Sequence, residues 1–285
     1  MIIHDISMTV TPKTITGGGA ERRFSVKSVS EIGAEGLGAN LSVLTVGAHT
    51  GTHLETPLHF VPGGLSVETL TLETLVGPAE VVQIYGRNPI TAADLEHTNL
   101  PPKTERVLLK TDNTRFLRLK DPEFYKDYTG LAPSGAEWLI RRGVRLVGID
   151  YLSIGPYGPI NTETHRILLG AGMVVVEALL LDKIQPGEYL FMALPPKFAG
   201  LEASPYGAWA CGANASGRRA AGKTWSTRPV AMAFRGMPSY PASAGSCAKT
   251  SPPAAFTARR PALPSAPVPD RTTQVTREPY SVAID

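Results

Sequence analysis

Ser134-Gly135-Ala136-Glu137-Trp138-Leu139-Ile140-Arg141-Arg142-Gly143-Val144-Arg145-Leu146-Val147-Gly148-Ile149-Asp150 reads as a helix, a stop and a strand. The pattern predicts Ser134 as the helix cap, with Glu137 three residues on reaching back to the Ser134 N–H. Gly143 supplies a left-handed exit, and Arg141 and Arg142 place positive charge in the last turn, where it suits the helix dipole. The apolar, β-branched run 145–150 that follows is a strand. Outward from this unit, runs of the same kind recur at 41–46, 80–85, 106–111 and 188–194. A second, short helix starts at Thr91, with Asp94 in the matching capping position. Strands and helices mixed over residues 1–206 with few clean βαβ repeats predict a mixed α+β or α/β single domain.

The chain has 285 residues and a net charge of +3, but that average joins two compositions. Residues 1–206 carry 18 Lys+Arg against 22 Asp+Glu, a balance of −4, whereas residues 207–285 carry 10 against 3, a balance of +7. The second part holds both cysteines, Cys211 and Cys247, and only eight Leu, Ile, Val or Phe. So few apolar side chains cannot build a core, which predicts a low-complexity, disordered tail over 207–285. The same Ala, Arg, Pro, Ser and Gly bias also fits a GC-rich coding region read out of frame from about residue 207. No run approaches the roughly 18 apolar residues of a membrane span, and the scattered arginines are barely interleaved with aromatics. Neither a membrane nor a nucleic-acid partner is therefore expected. Two cysteines and a start without a basic, apolar leader predict a reduced, cytoplasmic setting.

Three of the six histidines fall in His49-Thr50-Gly51-Thr52-His53-Leu54-Glu55-Thr56-Pro57-Leu58-His59. Thr, Gly and Pro in this segment oppose a helix, so it reads as a loop leaving the strand at 41–48. Gly51 lets such a loop aim both flanking imidazoles at one point. Glu55 adds a hard oxygen donor beside two borderline nitrogens, a mixture suited to Zn²⁺ or Mn²⁺ rather than Mg²⁺ or Ca²⁺. If those three suffice as ligands, His59 is free to move protons, since an imidazole titrates near neutrality. The alternative is a structural histidine cluster.

The run 49–60, ending in Phe60, resembles the H-x-G-T-H-x-D-x-P-x-H-F signature of the cyclase-like metal-dependent hydrolases, which include bacterial kynurenine formamidase (arylformamidase) and isatin hydrolase. The similarity continues through Gly130-Leu131, 136–139, 143–150, 165–169 and Glu177, to 194–197 and Ser204-Pro205. It spans residues 2–206 and none of the tail. The resemblance implies a swivelling β/β/α fold with a barrel-like sheet, assembled as a homodimer or homotetramer. It also implies a first metal on His49, His53 and Glu55. A second metal would share Glu55 and add His165 and Glu177, and His59 would be the general acid/base. The implied activity is hydrolysis of a small-molecule amide, arylformamidase-type, with cyclic amides or lactones as the alternative and a non-catalytic metal-binding relative as a third reading.

Three departures from the family pattern are visible. Glu55 stands where the family usually has Asp, moving the bridging oxygens outward by about one carbon–carbon bond. The stretch Thr14 to Ala20 lacks the aromatic and Pro-Gly-Asp with which the formamidases shape their substrate pocket. After Ser204-Pro205, the family's final strand is replaced by Tyr206-Gly207-Ala208-Trp209, which predicts an unpaired sheet edge. His4, Asp5 and Ser7 are too close along one strand to form a triad, because alternate residues face opposite ways.

Overall fold

Parallel strands need a crossover connection, and a helix between them supplies it. The centre of the computed structural model is built this way. Strand β5 (Val76–Gln83), helix α2 (Ala92–Glu96), β6 (Arg106–Lys110), helix α4 (Pro133–Arg141), β7 (Leu146–Ile149), helix α5 (Pro159–Gly170) and β8 (Val174–Glu177) follow one another, with the four strands parallel. The structure describes residues 2–16, 23–33, 38–119 and 123–212. Short helices α1 (Leu72–Leu75) and α3 (Thr114–Leu117) precede β5 and follow β6.

Antiparallel strands extend this core on both sides. On one side β9 (Gly187–Ala193) pairs with β5, β11 (Ala208–Gly212) with β9, and β1 (Ile2–Asp5) with β11. On the other, β4 (His53–Glu55) pairs with β8, and β10 (Ala203–Pro205) with β4. The result is a nine-stranded mixed sheet, and β2 (Ser25–Ser30) with β3 (Leu41–Thr45) forms a separate two-stranded ribbon. This is the mixed α/β domain that the residue pattern predicts.

The period of two along each strand divides the apolar residues between two faces. Val107 and Leu109 of β6 join Ala136 and Leu139 of α4 and Leu168 and Leu169 of α5 in one core. Leu108, between them, packs on the other face with Val176, Tyr189, Phe191 and Leu54. The helices thus cover one face, which decides where the site forms.

Two local expectations change. Helix α4 begins two residues earlier than a Ser134 cap implies: Ala132 is the cap, Pro133 the first helical residue, and no side chain caps it. Proline's fixed φ and missing N–H suit that first position, so Pro133 outcompetes Ser134. Ser134 Oγ instead accepts from Ala92 N at 3.4 Å. Gly143 does end the helix, at φ +78°, and Thr91 with Asp94 forms a complete capping box.

The sheet also continues past residue 206. Strand β11 lies between β1 and β9, with Ala208, Ala210 and Cys211 buried. The expectation of an unpaired edge is therefore corrected: small side chains, rather than β-branched ones, let β11 insert between its neighbours. The chain divides into units Met1–Thr227 and Arg228–Asp285, and the rest of the expected tail lies outside the described residues. A chain ending at Tyr206 loses β11 and with it the pairing of β1. Thermal unfolding is expected to show a lower melting temperature and less soluble protein than a chain ending at Thr227; equal stability would contradict the buried placement of β11.

Glu80 of β5 faces Glu188 of β9 in register. Burial first, and then the Glu188 charge, push the Glu80 pKa up to about 7. A carboxyl whose folded-state pKa lies above its unfolded value contributes stability below the unfolded pKa, and that contribution is lost as pH rises through about 7. Glu80→Gln is thus expected to raise the melting temperature at pH 8 and to change it little at pH 5. Denaturation scans at both values check this, and a gain confined to pH 5 would contradict it.

Candidate metal centre

His53 and Glu55 are two apart on β4, so they point to one face while Leu54 enters the core on the other. The antiparallel register sets His53 directly opposite Glu177, the last residue of β8. The face they share is the helical one, and α5 brings His165 onto it. The segment 49–59 is therefore not a continuous loop. Three of its residues pair as a strand, and Pro57–His59 form a 3₁₀ turn. Gly51 sits at φ +64°, and a Cβ there would meet Val10 Cγ2 at 2.7 Å, so the turn before β4 requires glycine.

All six residues singled out in the sequence converge. Glu55 Oε1 lies 2.9 Å from His49 Nδ1, 3.7 Å from His53 Nε2 and 3.5 Å from His59 Nε2. Glu55 Oε2 faces His165 Nε2 at 3.3 Å. Glu177 contacts His53 Nε2 at 3.4 Å through Oε2 and His165 Nε2 at 3.2 Å through Oε1. The two oxygens of Glu55 thus face the two histidine sets separately, so the longer side chain spans the gap between them. Ligand-capable atoms gather in two groups, His49–Glu55–His59 and His53–Glu55–Glu177, which places His59 nearer the ligands than the resemblance implies.

Backbone groups aim these side chains. His53 Nδ1 is 2.8 Å from the Gly51 carbonyl and His165 Nδ1 is 2.8 Å from that of Asn161. A carbonyl only accepts, so each Nδ1 donates its proton there and each Nε2 faces the carboxylates. Ile154 N donates to Glu177 Oε1 at 2.7 Å. The next residue, Ala178, holds a left-handed φ of +57°, a strained turn that fixes where β8 ends.

The electrostatics call for a cation. Burial alone would lower the pKa of His53, but hydrogen bonds to Glu177 and Glu55 raise it to about 10. His165 is likewise raised against the effect of burial by Glu177 and Glu55. Burial would raise Glu55, yet His165, His49 and His53 hold it low. Two carboxylates with almost no solvent contact need positive charge beside them, and Glu55 Oε2 accepts no hydrogen bond. Buried carboxylate oxygens and imidazole lone pairs converging in this way fit a divalent ion of the zinc or manganese type.

The family model for the cyclases matches residues 4–156. Cyclase-like protein 2 from Oryza sativa subsp. japonica is 35% identical over 208 residues, covering 71% of this chain and 76% of that protein. The chain belongs to the cyclase family. A solved structure described as a potential metal-dependent hydrolase with cyclase activity is 28% identical, with a TM-score of 0.63, over 73% of this chain and 96% of that one. Isatin hydrolase A from Labrenzia aggregata, at 24% identity and a TM-score of 0.61 over 73% and 93% of the two chains, shares the fold.

In this cyclase-family chain His49, His59, His165, Glu55 and Glu177 open onto a cavity of about 430 Å³. Phe60 and Leu152 give it apolar walls, and Ser153, Asn161, Thr16 and Glu202 give it polar ones. Phe60 also lies against His165, ring centroids 5.1 Å apart. Thr16 belongs to the stretch, Thr14 to Ala20, where the formamidases carry their pocket aromatic; residues 17–20 lie outside the described residues. Sequence reasoning missed Glu202, whose Oε1 is 3.3 Å from His49 Nε2. Away from the site, Ser7 Oγ bonds Asp5 Oδ1 while His4 packs on Tyr189, so those three form no triad. Among the described residues, no helix is long and apolar enough to cross a membrane.

Proposed function

We propose that the chain is a metal-dependent hydrolase of amide C–N bonds, of the arylformamidase type, converting N-formylkynurenine and water to kynurenine and formate. The observation that carries this reading is Glu55, a buried carboxylate whose two oxygens each face histidine nitrogens at the floor of the cavity. His49, His53, Glu55, His165 and Glu177 would hold one or two ions, zinc or manganese. A divalent ion bound there supplies Lewis-acid polarisation of a carbonyl and lowers the pKa of water toward neutrality. Phe60 and Leu152 offer a flat aromatic substrate its apolar contact. His59, partly open to the cavity, takes a proton at Nε2 from the attacking water and returns it to the leaving nitrogen. Each proton accepted is then donated, so the imidazole is neutral at the start and end of the cycle.

A second reading, opening of a cyclic amide such as isatin, is favoured by the fold shared with isatin hydrolase A and by the absence of the formamidase aromatic-Pro-Gly-Asp from residues 14–20. Comparing kcat/KM for N-formylkynurenine, isatin and a lactone separates these. Preference for isatin by tenfold or more would replace the formamidase assignment.

The reading includes a homodimer formed through the β2–β3 ribbon. A two-stranded ribbon is marginal alone in water, yet Val26, Val29, Leu41, Val43, Leu44 and Val46 are each 42–61% exposed. Summed over both faces of the ribbon they present on the order of 450 Å² of apolar surface, so each face alone offers less than the non-polar share of one side of a standard interface. Val43→Lys with Leu44→Lys is expected to convert a dimer to a monomer by light scattering. A wild type that is monomeric at all concentrations would contradict it.

A further inference from the structure

We infer that Asn161 is a specificity residue of the cavity: its Nδ2 donates to a second carbonyl that the substrate carries beside the scissile amide. Asn161 lies four residues before His165 on α5, so the two side chains leave one face of the helix and both line the cavity, one turn apart. The backbone there is held at both ends. Asn161 N donates to the Gly158 carbonyl at 3.0 Å, and the Asn161 carbonyl accepts from His165 Nδ1 at 2.8 Å. The side chain is wedged as well. Ser153, which is buried, donates from Oγ to Asn161 Oδ1 at 2.9 Å. The loop between β7 and α5 packs against the amide: a Cβ on Gly155 would come within 2.6 Å of Oδ1 and 2.7 Å of Asn161 Cα, so the loop needs glycine there.

With its oxygen engaged by Ser153, the amide has its NH2 left to offer, and Nδ2 has no partner among the described residues. The orientation suits its surroundings. Glu55, Glu177 and Glu202 line the same cavity and draw the positive end of the amide dipole toward it. Those three carboxylates, with no lysine or arginine among the described lining residues, also disfavour an anionic group on the ligand. The acceptor that Nδ2 meets is therefore an uncharged one. One helical turn, about 5.4 Å, separates Asn161 from His165, which faces the carboxylates, so that acceptor lies close beside the reacting carbonyl. An anilide with an ortho ketone, or a ring with two adjacent carbonyls, carries an oxygen at that reach and leaves its aromatic ring to Phe60 and Leu152. N-formylkynurenine and isatin both have this feature, whereas formanilide lacks it. A ligand without the second carbonyl covers the amide and leaves its donor unpaired, which is the basis of the discrimination.

The substrate class rests on the amide-hydrolase reading above, so the hydrogen bond is measured by binding as well as by turnover. Turnover compares kcat/KM for ortho-formamidoacetophenone and formanilide; titration calorimetry compares the dissociation constants of their amine products, ortho-aminoacetophenone and aniline. Each pair differs by the ketone, and intrinsic reactivity cancels because the same pair is taken through every variant. Wild type is expected to favour the ketone-bearing member, and Asn161→Ala to lower that preference by about 2–12-fold, the worth of one uncharged hydrogen bond. The Ala variant keeps the backbone carbonyl that holds His165, so its kcat/KM for formanilide is expected to stay near wild type. Asn161→Asp keeps the shape and the bond from Ser153 but puts an oxygen in place of Nδ2, and is expected to lose the preference at least as far. A preference retained in either variant would overturn the donor role, and equal losses for both members of a pair would reduce Asn161 to packing and overturn it too. A protein that hydrolyses neither formamide would instead overturn the proposed function and leave calorimetry to decide. There, binding of neither amine, or the same preference in wild type and Asn161→Ala, would overturn the inference.

Discussion

Replacing His59 with Ala is expected to lower turnover by about 10²–10⁴-fold, the usual worth of a general acid/base, while the protein keeps its metal. The side chain is 29% exposed, at the end of the 3₁₀ turn, with its ring against His49 and Phe60. Burial lowers its pKa below the ordinary value, so the imidazole is neutral near pH 7 and able to accept a proton. The other three histidines have the nitrogen opposite the cluster held by an oxygen: the Gly51 carbonyl, the Asn161 carbonyl or Glu202. His59 shows no such fixing bond among the described residues, and that freedom suits a group that must exchange protons. Because His59 also lies with His49 and Glu55 among the ligand-capable atoms, the metal measurement decides its role. Retained metal, lost turnover and partial rescue by added imidazole support a proton carrier. Loss of metal together with activity would make His59 a ligand, and unchanged turnover would remove it from the mechanism.

Glu55→Gln is expected to abolish both metal binding and hydrolysis. Glu55 is the one carboxylate that reaches all four histidines of the centre, three through Oε1 and one through Oε2. Its amide counterpart offers one neutral oxygen where the carboxylate offers two charged ones. The affinity loss therefore exceeds the roughly 10–100-fold that removal of an outer-sphere partner costs. Stability follows by linkage: an ion at about 100 times its dissociation constant stabilises the native state by about 2.7 kcal/mol. Added zinc or manganese should raise the melting temperature of wild type and leave that of Glu55→Gln unmoved. A metal-dependent shift of wild-type size in the variant would show that the ion sits elsewhere. Glu55→Asp is a finer probe, since shortening the chain draws both oxygens away from the histidines they face.

The sequence made much of this site legible, and the gaps have physical causes. Spacing alone pointed to His49, His53 and Glu55, because paired histidines with a carboxylate carry chemistry whatever backbone holds them. It hid that His53 and Glu55 share a strand. The three residues of β4 are too few for a periodic signal, and the strands that pair with it, β8 and β10, come from distant segments. The aliphatic run at Leu41 to Val46 was readable as a strand, but not that β3 would stand in solvent, since a ribbon and a core strand use the same residues. Strand β11 was missed because Ala208-Trp209-Ala210-Cys211-Gly212 contains no β-branched side chain. It pairs with β9 on one side and on the other with β1, some 200 positions away. His165 and Glu177 came from family resemblance, and only the fold shows why they meet: α5 packs beside the strand that ends in Glu177. Glu202 has no neighbour in sequence that marks it.

The most direct test of the metal-hydrolase account is the metal content of the purified protein, measured alongside hydrolysis of N-formylkynurenine and isatin, before and after chelation and reloading. The account predicts one or two equivalents of zinc or manganese per chain, hydrolysis that disappears with the metal, and recovery in proportion to the metal restored. Hydrolysis that persists in fully metal-free protein, or a fully loaded centre that cleaves neither these amides nor a lactone, would contradict it.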